Sequence, residues 1–294
     1  MKKLAVVVSL LMLFGAATAA AKPFTLGLSL STLNNPFFVT LKDGAMQAAN
    51  AAGVKLVVTD SQDNPATEAK NIEDLIIKKV DALLINPTDS SAIAPSVFKA
   101  NKAGIPVFTV DRSANSGVVV AHIASDNVAG GILAGEFLVK KINAKGKVVE
   151  LEGIAGSSAA IDRGRGFNQV MSKYPGITVV AKQTANFNRA EGLRVFENIL
   201  QAQPEIDGVF AHNDEMILGA IQAAQAAGKD KGIVFVGFDA VNDAVNAVEA
   251  GQLEATVAQQ PAVIGELGVK TAVDYLNGNS VKKNIPVPLS LVTK

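Results

Sequence analysis

From Phe24 onward, short runs of apolar and β-branched residues alternate with longer stretches whose apolar side chains return every three or four positions. The short runs predict strands and the longer stretches predict helices. Strands are expected at Phe24–Leu30, Val54–Thr59, Ala82–Ile85, Val107–Val110, Val118–Ile123, Val148–Leu151, Ile177–Val180, Gly208–Ala211, Ile233–Gly237, Ala255–Ala258 and Val287–Val292. Helical spacing fills most intervals; Ala66, Ala69, Ile72, Leu75 and Ile76 lie on one face, with Lys79 closing the last turn. Regular alternation of this kind predicts parallel sheets covered by helices. There are more strand runs than one sheet usually carries, so two sheets in two lobes are expected, with a boundary near Ser125-Asp126.

The first residues follow another pattern. Lys2 and Lys3 precede an almost wholly apolar stretch, Leu4–Ala17, and Ala19-Ala20-Ala21 offers a small-residue cleavage site. The apolar run is shorter than the roughly 20 residues a spanning helix needs. Residues 1–21 therefore read as a secretory signal peptide, and the expected address is the periplasm of a double-membraned bacterium. The 294-residue chain has no cysteine, so it lacks a lipoprotein anchor, disulfides and thiolate metal ligands. Its 27 Lys and Arg balance 27 Asp and Glu, which removes the electrostatic case for nucleic acid as a partner.

In open α/β sheets, ligands meet the chain just past the carboxyl ends of strands. There, Asn35 precedes Pro36 at a helix start, with Phe37 and Phe38 behind it; Asp111-Arg112, Asn213, Asp239 and Gln259 each follow a strand run. Every one has a purely structural alternative: Asn35, Asn213 and Asp239 as helix caps, Phe37 and Phe38 as core, Asp111 and Arg112 as partners of neighbours. Arg163 sits on a helical stretch, where an arginine is more often a solvated surface residue, and Phe187 lies in a polar loop, where the ring either plugs a core edge or stacks on a ligand. What these residue types share is polyol recognition. Carboxylates accept from hydroxyls, guanidinium forks donate, amides do both, and aromatic faces pack on the C–H faces of a sugar.

Enzyme readings find little support. His122 and His212 have no metal-ligand spacing, and Gly153-Ile-Ala-Gly-Ser157 fits neither dinucleotide nor P-loop patterns. No cofactor, metal or catalytic residue is expected.

The blocks Ser31-Thr-Leu-Asn-Asn-Pro-Phe-Phe38, Leu84-Ile-Asn-Pro-Thr-Asp89, Asp111-Arg112, His122-Ile-Ala-Ser-Asp-Asn127, Asn213-Asp-Glu-Met216, Val236-Gly-Phe-Asp239 and Ala258-Gln259 resemble, in order, the periplasmic pentose/hexose-binding proteins, and among them the ribose-binding members. The resemblance spans the chain from Phe24 to its end. It implies an α/β fold of the periplasmic binding protein-like I type: two similar doubly wound parallel-sheet lobes joined by a three-crossing hinge, with the ligand between them. The crossings would lie near Ser125-Asp126, Gln259-Gln260 and Pro288-Leu289, dividing the chain into 22–125 plus 260–288 and 126–259 plus 289–294. It also implies that Asn35, Asp111, Arg112, Arg163, Asn213, Asp239 and Gln259 hydrogen-bond the sugar while Phe37, Phe38 and Phe187 sandwich it. D-ribose is the implied ligand, with allose or a related monosaccharide as the alternative. The implied partners are an ABC importer permease and, in a second role, a chemoreceptor, with the receptor itself a monomer. Sugar-responsive repressors resemble the same fold, but an export signal occupies the end where their DNA-binding helices would sit. One local departure is His212, where the family pattern leads one to expect glutamine.

Overall fold

A computed structural model describes residues 23–294; the expected signal peptide lies outside the described residues. The described chain runs β1 (Thr25–Leu30), α1 (Pro36–Ala51), β2 (Lys55–Asp60), α2 (Pro65–Ile77), β3 (Ala82–Ile85), α3 (Ala94–Lys102), β4 (Val107–Val110) and β5 (Ala121–Ser125). It continues with α4 (Asn127–Lys141), β6 (Gly146–Glu152), α5 (Ser158–Met171), β7 (Ile177–Thr184), α6 (Arg189–Ala202), β8 (Gly208–Ala211), α7 (Asp214–Ala226), β9 (Val234–Asp239), α8 (Asn242–Ala250) and β10 (Ala255–Ala258). Helix α9 (Pro261–Leu276) and the short strands β11 (Asn284–Val287) and β12 (Ser290–Thr293) close it.

These form two six-stranded sheets, ordered β11-β5-β4-β3-β1-β2 and β12-β10-β9-β8-β6-β7. The first is parallel throughout and the second is parallel except for β12. Buried aliphatic runs explain the central strands: every residue of β3, β4 and β8 is buried, as a sheet covered by helices on both faces requires. Local chemistry explains the helix starts. Asn35, Asn64, Asp126, Asn188 and Asn213 each accept a backbone N–H of the helix they precede, and Pro36 and Pro65 open α1 and α2 at a position that needs no donor.

The chain passes between the sheets after β5, after β10 and between β11 and β12. After the second passage α9 packs on α1 so closely that a Cβ on Gly265 would lie 2.1 Å from the Leu41 carbonyl oxygen. The expected strand Val287–Val292 is in fact two strands belonging to different sheets, broken at Pro288-Leu289, because proline donates no ladder hydrogen bond. The strand expected at Val118–Ile123 starts later, at Ala121.

In each sheet the strand order reverses direction, between β1 and β3 in the first and between β6 and β8 in the second. The carboxyl ends at these two switch points face one another, which is where such folds hold ligands.

Candidate functional site

Nine of the ten candidate residues line one cavity: Asn35, Phe37, Phe38, Asp111, Arg112, Arg163, Phe187, Asn213 and Asp239, joined by Ala159. The tenth, Gln259, stands just behind, donating from its amide nitrogen to Asp239 Oδ1 at 2.8 Å. The side chains of the two lobes meet so closely there that only a small space, about 220 Å³ including its opening to solvent, is left between them.

The first lobe supplies Asn35, the phenyl pair, Asp111 and Arg112. Asn35 Oδ1 accepts from the Phe37 N–H at 3.0 Å, so the carbonyl end of the amide caps α1 and the NH₂ end stays available. Phe37 and Phe38 meet edge to face at 5.1 Å and are 3% exposed, core and cavity wall at once. Asp111 sits at φ 63°, a left-handed backbone that turns its carboxylate away from the strand direction. Its Oδ2 accepts from Asn86 at 3.1 Å. The Arg112 guanidinium lies 5.1 Å from the ring centres of both Phe38 and Phe187, one from each lobe.

The second lobe supplies Arg163, Phe187, Asn213 and Asp239. Arg163 is fixed by three groups: its Nε donates to Asn127 Oδ1 at 2.8 Å, its Nη1 to the His212 carbonyl at 2.6 Å, and its guanidinium rests 3.8 Å from the Phe238 ring centre. It also lies 3.5 Å from Asp239 Oδ1, an ion pair almost fully removed from water. Asn213 divides its amide as Asn35 does, Oδ1 capping α7 through the Met216 N–H and Nδ2 donating to the Phe187 carbonyl. Asp239 does not cap a helix. Helix α8 begins only at Asn242 without a side-chain cap, and the positive φ of Asp239 (115°) and Ala240 (55°) turns the carboxylate inward.

Burial raises the proton affinity of the carboxylates. It pushes Asp239 up to about 7, with Arg163 the largest opposing influence, and it raises Asp111 with Arg112 and Arg163 opposing. Asp214, buried behind Asp239, is also raised, first by burial and then by the Asp239 charge. Burial lowers Arg163, and Asp239 holds it back up. Within the chain, Asp111 Oδ1, Arg112 Nε and Gln259 Oε1 are buried with no hydrogen-bond partner. An orphaned buried polar atom costs about 1–3 kcal/mol, so a site carrying acceptors and a donor of this kind is suited to a ligand rich in hydroxyls.

Further residues stand behind the candidates and hold them in place. Asn86 and Asn127 hold Asp111 and Arg163, and Asp214 accepts from Thr256 Oγ1 and the Val241 N–H beneath Asp239. Asp214 stands beside Asn213 after β8 and Asn86 directly after β3, the same kind of position that marks the candidate residues, whereas Asn127 opens helix α4 and carries no such signal. Across the mouth of the cleft the lobes also touch without lining the cavity. The Ser90 N–H donates to the Gly156 carbonyl at 3.0 Å, the Ser158 N–H to Ser90 Oγ at 3.2 Å, and the Ser113 N–H to Ser158 Oγ at 2.9 Å.

Two switch-point lobes closing on a cavity of opposed carboxylates, guanidinium groups and rings are the architecture of a solute receptor. The chain belongs to the periplasmic binding protein family, whose domain model matches residues 26–280. It is 51% identical to the ribose import binding protein of Escherichia coli, across 100% of this chain and 99% of that one. It is 49% identical to the ribose import binding protein of Haemophilus influenzae, across the whole of both. A solved ABC transporter solute-binding protein from Actinobacillus succinogenes, with bound D-allose, has a TM-score of 0.86 at 32% identity, over 93% of this chain and 98% of that one. Among the described residues no helix is long and apolar enough to cross a membrane.

Proposed function

We propose that the protein is a non-catalytic receptor that captures D-ribose between its lobes and hands it to the permease of an ABC importer, after export through its N-terminal signal. One observation carries this reading: two carboxylates, two arginines, two amides and three phenyl rings, drawn from both lobes, converge on one small cavity between them. Asp111 and Asp239 would accept hydrogen bonds from hydroxyls, Arg112 and Arg163 would donate to hydroxyl and ring oxygens, and the free amide end of Asn35 with the remaining N–H of Asn213 would complete the shell. Phe38 and Phe187, from opposite lobes, would cover the two C–H faces of the ring.

Because each lobe holds only part of this set, the full contact is available only when they meet. The ligand therefore favours the closed form by its differential affinity, and the three crossings between 22–125 plus 260–288 and 126–259 plus 289–294 would serve as the hinge. A closed, sugar-loaded surface is what a permease, or a chemoreceptor in a second role, would recognise. About half of all positions shared with two ribose import binding proteins support ribose; a neighbour holding D-allose supports a related monosaccharide as the alternative.

A thermal-shift panel of D-ribose, D-allose, D-galactose and myo-inositol tests the ligand. Ligand at a hundredfold excess over Kd stabilises by about 2.7 kcal/mol, so ribose should raise Tm by several degrees at the lowest concentration of the four. A shift with allose or galactose and none with ribose would replace the proposed ligand.

A further inference from the structure

His212 and Glu150 are the most deeply buried titratable pair that the sugar shell does not use, both fully enclosed. Their atoms fix a tautomer. His212 Nε2 lies 2.9 Å from Glu150 Oε1, while Nδ1 accepts from the Gly153 backbone N–H at 3.3 Å. A nitrogen that accepts from a peptide N–H carries no proton, so the ring proton sits on Nε2 and is donated to Glu150. Glu150 is kept an anion by its surroundings. Burial would raise it, but His212, the Asn168 amide and Lys182, 3.4 Å away on β7, together hold it below the usual carboxylate range. Burial likewise lowers the proton affinity of His212, against the pull of Glu150, and Arg163 lowers it further.

Two links join this pair to residues of the cavity. Gly153 lies under Phe187 so tightly that a Cβ there would sit 2.1 Å from the ring's Cζ, so the Gly153 turn is the floor that sets the ring's height. The carbonyl of His212 is the acceptor for Arg163 Nη1 at 2.6 Å, and the next residue is Asn213. Helix α5 closes over the pair at Gly164, where a Cβ would come within 3.1 Å of both Glu150 Oε1 and His212 Cε1.

We infer that neutral His212, protonated on Nε2, is a positioning residue of the sugar site: its ring ties the Gly153 floor of Phe187 to Glu150 while its carbonyl holds Arg163. The inference rests on the sugar-receptor reading for its consequence, though not for its geometry. An amide can replace the ring, since a glutamine oxygen would accept from Gly153 while its NH₂ donates to Glu150; an aliphatic side chain can do neither.

The test compares His212→Gln and His212→Leu with wild type in titrations with D-ribose, beside ¹⁵N NMR of the imidazoles. The chain has only two histidines, so loss of one ring signal in His212→Gln assigns the other. The expected spectrum shows His212 as a neutral Nε2–H tautomer at pH 7. The expected affinities are within about threefold of wild type for Gln and at least about tenfold weaker for Leu, in line with the loss of a buried hydrogen bond. Should the leucine variant fail to fold, Glu150→Gln with His212→Leu removes the stranded carboxylate and takes its place. A charged imidazolium, an Nδ1–H tautomer, or equal affinity in the Gln and Leu variants would overturn the inference. Wild-type protein that binds no sugar would instead defeat the receptor reading, and the tautomer would still be measured.

Discussion

At Asp239 one carboxylate links affinity, stability and pH. Its proton affinity is raised by burial from an ordinary value of 3.8 to about 7, so near neutrality it is partly protonated. A sugar hydroxyl donating to it favours the anion, so binding should release a proton and affinity should fall as pH drops from about 8 to about 6. Calorimetry in buffers of different ionisation enthalpy checks this, and Asp239→Asn should flatten the dependence. Stability without sugar has the opposite sign. Between 3.8 and about 7 the folded state binds this proton and the unfolded chain does not, so the contribution is full below 3.8 and is lost as pH rises through about 7. Asp111 and Asp214 are raised in the same direction. The ligand-free protein should accordingly melt higher at pH 5 than at pH 7.5; a melting temperature that rises with pH over that interval would contradict the burial argument. The identity of these residues was legible in the sequence because each follows a strand, but their aim was not. Asp111, Phe187 and Asp239 adopt positive φ although none is glycine, and only the folded surroundings impose such a backbone.

At the scale of elements, periodicity located almost every strand and helix, since buried aliphatic runs and Asn or Asp caps are local signals. It failed where tertiary context decides. The run Val287–Val292 has the apolar content of one strand, yet Pro288 and the demands of two different sheets divide it. Asp239 has the composition of a helix cap, yet α8 starts three residues later and the carboxylate serves the cavity. The contact of α9 with α1 was also not legible, because a close backbone crossing depends on which helix arrives opposite the small residue. Gly265→Ala should test that contact. The added methyl meets the Leu41 backbone, not a flexible side chain, so separating the helices should cost about 1–3 kcal/mol. Chemical denaturation should show the loss, and ribose affinity at saturating stability should change little; an unchanged midpoint would mean that the helices separate freely.

For the whole molecule, the two lobes share the work unequally between cavity and rim. Ser90, Ser113, Ser158 and Gly156 bridge the cleft without lining the cavity, so they stabilise closure and leave the sugar's own contacts alone. Removing the two bridging hydroxyls, as Ser90→Ala with Ser158→Ala, lowers the closed population available to ligand. Apparent affinity is reduced by that fraction, so D-ribose should bind about three- to tenfold more weakly, chiefly through faster release. Stopped-flow fluorescence with a probe on each lobe separates release from capture, and unchanged release would assign the rim no role in closure.

The central claim, a clamp for one sugar ring assembled from both lobes, is tested most directly by isothermal titration of the purified protein with D-ribose. Single-site binding is expected with Kd of about 1 μM or tighter, equivalent to about −8.2 kcal/mol, as several charge-assisted hydrogen bonds allow. Absence of ribose binding by correctly folded protein, or saturation by a hexose that ribose cannot displace, would contradict it.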